Sequence, residues 1–198
     1  MSDGGGGVLR GILRSYVQAA HAGWPALHPE MVQRVPLWPR MREPELQEEL
    51  TGFLAAASRP GCPVRVFWKL GPKLAYAGGN PQFALDAGQA AMEDLLGLDD
   101  FDSRLPWGHY AATFRNDDLR VLRSDLVSNV IERQQIGLAI RWNRVVKSAI
   151  RGDHRIVHGV FVMYETLDPI VGRQLFARQV TRNDPPALAV GTLVSRSA

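Results

Sequence analysis

The sequence predicts an α+β domain: one antiparallel sheet, short helices on one of its faces, and a helical extension at the N-terminus. Three observations carry this. Two β-textured segments at 64–77 precede a block of short helical pieces, and three longer β-textured segments follow residue 128. Strands grouped on both sides of a helical block fit a single antiparallel sheet, whereas a parallel sheet would alternate strand and helix. The 198 residues are 45 % hydrophobic and 22 % charged, the composition of a globular chain long enough for one buried core with extensions.

The glycine-rich residues 1–7 read as disordered. Residues 8–20 place Val8, Ile12, Tyr16 and Ala19 on one helical face, an apolar stripe that wants a partner. Five prolines between 23 and 44 make a mostly irregular connector with a short helical turn near 29–34. Residues 44–58 form a second helix, with Pro44 and acidic residues in its first turn and Leu46, Leu50, Phe53, Leu54 and Ala57 at helical spacing. "VRVFWKL" at 64–70 and "KLAYA" at 73–77 read as a hairpin across Gly71-Pro72.

The pieces "PQFALDAG" and "QAAMEDLLG" each end on a glycine suited to a left-handed helix stop, Gly88 and Gly97. Residues 106–114 and 117–125 read as two more short helices, with Asn116 or Asp117 as N-cap of the second. "SNVIERQQ", "LAIRWNRVVKSAIR" and "RIVHGVFVMYETL" are three strands with turns near Gly137 and Gly152-Asp153. The last thirty residues have weak periodicity and read as a loose or docked arm. The flanking helices 8–20 and 44–58 are the candidates to cover the second sheet face, in this chain or in a partner.

Several function classes are disfavoured. No run of eighteen apolar residues is present, and Arg10 and Arg14 interrupt the first apolar stretch, so neither a membrane span nor a signal peptide is expected and the chain reads as cytoplasmic. One cysteine, Cys62, forms no internal disulfide and no CxxC zinc pattern. The net charge is +3 and the basic residues are interleaved with acids, so no nucleic-acid partner is expected. There is no Ser/His/Asp set, no phosphate loop and no metal-ligand spacing, so the chain reads as a non-enzyme.

"VFWKLGPKLAYAGGNPQF" carries Phe67, Lys69, Tyr76, Asn80 and Phe83 in an order that resembles the opening of a PAS domain. "DLLGLDDFD", "PWGHYAATFRNDDLRVLRSD" and "RWNRVVKSAIRGDHRIVHGVFVMYE" are similar to later segments of bacterial signalling PAS domains. The resemblance covers roughly 64–168. It implies a PAS-like antiparallel sheet with short helices on one face, here in a stand-alone sensor domain protein. The organisation expected is an N-terminal extension at 1–43, a PAS-like domain at 44–168 and a C-terminal arm at 169–198. Two departures stand out: the family's terminal Asp-Ile-Thr reads Thr166-Leu167-Asp168, and its hairpin glycine before the last strand reads His154.

Function then rests on a pocket between sheet and helices. Its candidate lining is Phe67, Tyr76, Phe83, Trp107, His109, Trp142 and Tyr164. The acidic knots Asp99/Asp100/Asp102 and Asp117/Asp118 read as helix-start and loop caps rather than a metal site. The cofactor is left open: haem through His109 is one option, and flavin photochemistry is disfavoured because Cys62 precedes the first strand. Trp142 and Lys147, five residues apart on one strand, point to opposite faces; Ile140, Trp142, Val146 and Ile150 share one of them, so Trp142 is either sheet-face packing, the default for a buried aromatic, or a pocket wall. The reading is a sensory module that binds a small ligand and passes a conformational change to a partner, or a ligand-free dimerisation or docking module. A homodimer through the flanking helices and a separate kinase or regulator are the partners expected.

Overall fold

The structure, a computed structural model, describes residues 4–24, 33–124, 126–136, 138–153 and 156–181. Five strands form one antiparallel sheet: β1 (Val64–Leu70), β2 (Ala75–Gly79), β3 (Ser128–Ile136), β4 (Ala139–Arg151) and β5 (Val157–Thr166). Their order across the sheet is β2-β1-β5-β4-β3. Phe67 pairs with Val162, and Val145 with Tyr164. Side chains alternate between faces, so this register gathers Phe67, Lys69, Val145, Lys147, Val162 and Tyr164 on one face. Val66, Trp68, Val146, Ile150, Phe161 and Met163 form the core on the other.

That second face is covered by α1 (Gly4–Gly23) and α2 (Glu43–Ala57). Ile12, Leu13, Tyr16 and Ala19 of α1 are buried there with Leu46, Leu50, Phe53 and Ala57 of α2. The Tyr16 and Phe53 rings meet at a tilt of 32° with centroids 3.5 Å apart, and both meet Phe161 of the central strand β5. Burying each such side chain is worth about 1.5–3 kcal/mol. The apolar stripe of α1 therefore finds its partner in its own chain.

Several expectations are corrected. Helix α1 begins at Gly4 rather than after a disordered run. Its glycines serve close packing: a Cβ on Gly11 would stand 2.9 Å from the Arg151 carbonyl oxygen and from Ile150 Cγ2. The turn near 29–34 lies largely outside the described residues, but Val35–Arg40 form a 3-10 turn that buries Trp38 completely. The pair of helices expected at 106–125 is one 3-10 turn at Gly108–Tyr110 running into a single helix, α4 (Ala111–Arg123). The piece after Gly88 shortens to a 3-10 turn at Met92–Leu95. The expected loose arm starts as a helix, α5 (Pro169–Thr181); the turn residues Gly137 and His154 lie outside the described residues.

α5 docks on the α1/α2 side of the sheet, against Trp142 of β4 and Ile131 of β3. Phe176 meets Trp142, with ring centroids 5.1 Å apart, and a Cβ on Gly172 would overlap the Trp142 side chain. Its Gln179 amide donates to the Ile131 carbonyl (3.1 Å) and accepts from the Ile131 N–H (2.8 Å), taking up the outward backbone groups of edge strand β3.

The helical side is fixed by Asn80, the N-cap of α3 (Pro81–Asp86). Its side chain is fully buried and fully used. Oδ1 accepts from the Val66 and Phe83 N–H groups, and Nδ2 donates to the Ala57 and Val64 carbonyls. One amide thus ties the end of α2 to β1 and to the start of α3.

Candidate ligand-binding site

Between the sheet's other face and α3–α4 lies a cavity of about 60 Å³. Phe67, Tyr76, Phe83, Trp107 and Tyr164, five of the seven expected residues, line it. Phe67 and Phe83 stack at 4.1 Å, and Trp107 follows at 5.9 Å from Phe83. Tyr164 closes one side, donating to Asp86 (2.9 Å), which also takes the Arg65 guanidinium (3.0 Å). Burial first, then the neighbouring Asp86 carboxylate, pushes the Tyr164 phenol pKa well above its ordinary value.

The other two expected residues lie elsewhere. His109 is exposed in the 3-10 turn, its ring against Tyr110 at 4.1 Å. Its Nε2 donates to the Gln135 carbonyl (3.2 Å), while the Tyr110 hydroxyl accepts from the Gln135 N–H (2.8 Å). A carbonyl only accepts, so the proton is on Nε2. His109 thus caps the β3 edge, outside the cavity and away from any haem site there. Trp142 lies on the opposite sheet face, beneath α5. Cys62, half-buried, packs with the α1/α2 core.

What the sequence reading missed is the centre of the cavity, which is charged. Lys69 Nζ lies 2.5 Å from Asp100 and 2.7 Å from Asp118. Lys147 Nζ lies 3.2 Å from Asp118 and 3.7 Å from Glu132. The Tyr76 hydroxyl donates to Asp100 at 2.6 Å. All of these groups are buried. The capping role expected of the acidic residues holds for Asp99 and Asp102, whose Oδ1 atoms accept from the N–H two residues on. It fails for Asp100 and Asp118, whose carboxylates turn inward onto Lys69.

Local structure explains the convergence. On α4, Ala111, Phe114, Asp118 and Val121 recur at helical spacing, so Asp118 occupies a position on the stripe that faces the sheet. Lys69 and Lys147 share the cavity face of β1 and β4 with Phe67 and Val145. The signal was present in the sequence: a charged residue at an apolar-stripe position in each of three elements.

The electrostatics follow from burial and pairing. Burial alone would raise the Asp118 pKa, but Lys69 and then Lys147 outweigh it and hold the carboxyl below its usual range. Lys147 is held above its usual range: burial opposes its charge, and Asp118, Glu132 and Asp117 overcome that. Glu132 goes the other way. Its burial dominates the single nearby Lys147, so its pKa is raised. The Tyr76 pKa is driven well up by burial and by Asp100.

No family model and no curated protein matches the chain. Solved structures do. A ligand–DNA complex of VqmA from Vibrio cholerae is similar at 18 % identity and a TM-score of 0.51, over 61 % of this chain and 51 % of that one. The VqmA dimer in the absence of target DNA, described as a LuxR-type receptor, gives 18 %, 0.52, 63 % and 52 %. The phage VqmA–DPO complex gives 17 %, 0.51, 69 % and 60 %. This chain therefore spans about half to three-fifths of the VqmA chains it matches. At such identity the likeness shows the fold, which is PAS-like. It also overturns the exclusion of nucleic acid as a partner. VqmA, matched here over about half of its length, has been solved bound to DNA, so the charge pattern alone does not carry that exclusion. Among the described residues no helix is long and apolar enough to cross a membrane.

Proposed function

We propose that this chain is a non-enzymatic sensory module: a small ligand enters the cavity between sheet and helices, and the change it makes there is passed to a partner. The observation that supports this most is the buried charge cluster. Two lysines and three carboxylates on the cavity wall are a poor choice for stability, because apolar residues of similar volume hold a core as well or better. Charges kept at such a place point to ligand recognition. Glu132 sits on β3 beside Ile131, whose backbone holds Gln179 of α5. A displacement of Glu132 by ligand thereby has a short covalent route to the α5 dock. That VqmA, of like fold, has been solved with both ligand and DNA supports a ligand-operated reading.

The test is to denature the purified protein, identify any released small molecule by mass spectrometry, and follow the thermal transition against a metabolite library. The expected result is a bound or stabilising molecule whose effect is lost in Lys69→Met or Lys147→Met, provided each variant retains its fold by circular dichroism. A second reading, a ligand-free docking module for a separate signalling protein, draws on Ile170 and Val171, which are exposed on α5. No released molecule, no thermal shift, and pull-down lost on changing both to Asp would favour it.

A further inference from the structure

The charges lining the cavity are already matched. Lys69 is held between Asp100 and Asp118, and Lys147 between Asp118 and Glu132. An anionic ligand would meet three carboxylates, and a cationic one two ammonium groups; either must break an existing pair, which is costly in a buried site. Two polar atoms on the wall remain without a hydrogen bond among the described residues: Trp107 Nε1 and Glu132 Oε1, the latter within ion-pair range of Lys147 Nζ at 3.7 Å but beyond hydrogen-bond reach of it. Both residues are more than nine-tenths buried, at 7 % and 4 % exposure. Trp107 Nε1 can only donate. It faces the Tyr76 hydroxyl, whose pKa it acts to lower, but lies outside hydrogen-bond geometry to it. The other oxygen of Glu132 takes a long bond from Gln134 Nε2 at 3.4 Å. Buried polar groups left unpaired are uncommon, and each asks for a partner.

We infer that the cavity takes a small uncharged molecule with an acceptor beside a donor, an amide-like edge, received by the Trp107 indole N–H and the Glu132 carboxyl. This rests on the ligand-binding reading above and adds the chemical class. Size agrees. A cavity of about 60 Å³ is less than half of the roughly 150 Å³ that takes a benzene ring, and suits a molecule of about three to five non-hydrogen atoms. The stacked Phe67 and Phe83 rings leave a flat wall for a planar group. The burial that raises the Glu132 pKa fits a group that works as a neutral or shared-proton partner rather than as the counter-ion of a cation.

Acetate, acetamide and acetamidinium share one planar shape and differ in charge, so they separate the alternatives. The full chain would be titrated with each at pH 7, following the Trp107 indole N–H resonance, assigned by its loss in Trp107→Phe. A ligand this small binds in about the millimolar range. The expected result is that acetamide shifts the resonance with an affinity at least about fivefold above either ion. Trp107→Phe, which keeps the ring and removes the donor, should weaken acetamide about three- to tenfold by ligand-observed saturation transfer. Tighter or equal binding of either ion, an unchanged affinity in Trp107→Phe, or no binding of any of the three overturns the inference. A charged metabolite released from the native protein would also overturn it while leaving the sensory reading intact. Absence of both a released molecule and any library hit would instead remove the sensory reading itself.

Discussion

Lys69 and Asp118 stand 49 residues apart in sequence and 2.7 Å apart in space, each almost wholly buried. Their pairing holds α4 to the sheet from inside the cavity. It is made by charge rather than by apolar contact, so each partner depends on the other.

Replacing Lys69 with Met would leave Asp100 and Asp118 buried beside a thioether. The expected loss is about 3–5 kcal/mol, the usual penalty for orphaning a buried ion. Urea denaturation of the variant measures it. Asp118→Asn keeps one acceptor and turns an NH2 donor towards the other ammonium, so it can hold Lys69 or Lys147 but not both, and it should also destabilise. Equal stability of Lys69→Met and the parent would mean that the pair does not hold the fold.

Glu132 gives a signed pH dependence. Its folded pKa lies above the unfolded value of about 4.3. Its stabilising contribution is therefore complete below the unfolded pKa and is lost as pH rises through the folded one. Glu132→Gln has no such group. The stability difference, variant minus parent, should climb as pH rises from about 4 through the raised pKa and then level off. Thermal transitions measured at intervals to about pH 8 test this, and a flat difference would refute it. Asp118 acts with the opposite sign: its contribution is present above its unfolded pKa and disappears as pH falls through the depressed folded pKa.

Asn80→Ala removes four hydrogen bonds at once. The Val66 N–H and the Ala57 and Val64 carbonyls lose their side-chain partner, at about 1–3 kcal/mol for each group left buried and unmade. The expected signature in hydrogen exchange is early opening of the end of α2 together with the start of α3. Exchange confined to α3 would show that the amide does not couple the two.

Gly172→Ala places a methyl group against Trp142. Relief requires α5 to shift, so amide exchange should rise across 169–181 and at Ile131, whose N–H is held by Gln179. Overpacking of this kind costs about 1–3 kcal/mol. Unaltered protection at Ile131 would separate the Gln179 contact from the seating of the helix.

Much of the fold was legible because its signals are local. Alternating β-branched and aromatic residues marked β1, β4 and β5, and the spacing of Leu46, Leu50 and Phe53 marked α2. The aromatic half of the cavity was legible from resemblance. Its charged half shows in the sequence only as a charge at an apolar-stripe position in β1, β4 and α4; that Lys69 pairs with Asp118 depends on tertiary register that no single segment encodes. His109 misled for a related reason: ring chemistry suggests a ligand, while its place in a turn beside β3 makes it a backbone cap. The sequence leaves Trp142 as sheet-face packing or as a pocket wall; it packs on the sheet face beneath α5, a helix that weak periodicity did not announce.

The backbone contacts of the outer strands limit how this protein can associate. On β3, Gln179 occupies both polar groups of Ile131, and Tyr110 with His109 occupies those of Gln135. On β2, Tyr76 exchanges both of its groups with the Gly97–Leu98 segment. A strand from another chain, arriving at either border to prolong the sheet, would first have to strip these partners away. Sheets with bare borders recruit one another and aggregate. Here Ile131 and Gln135 on one border and Tyr76 on the other carry such guards, and these oppose strand addition.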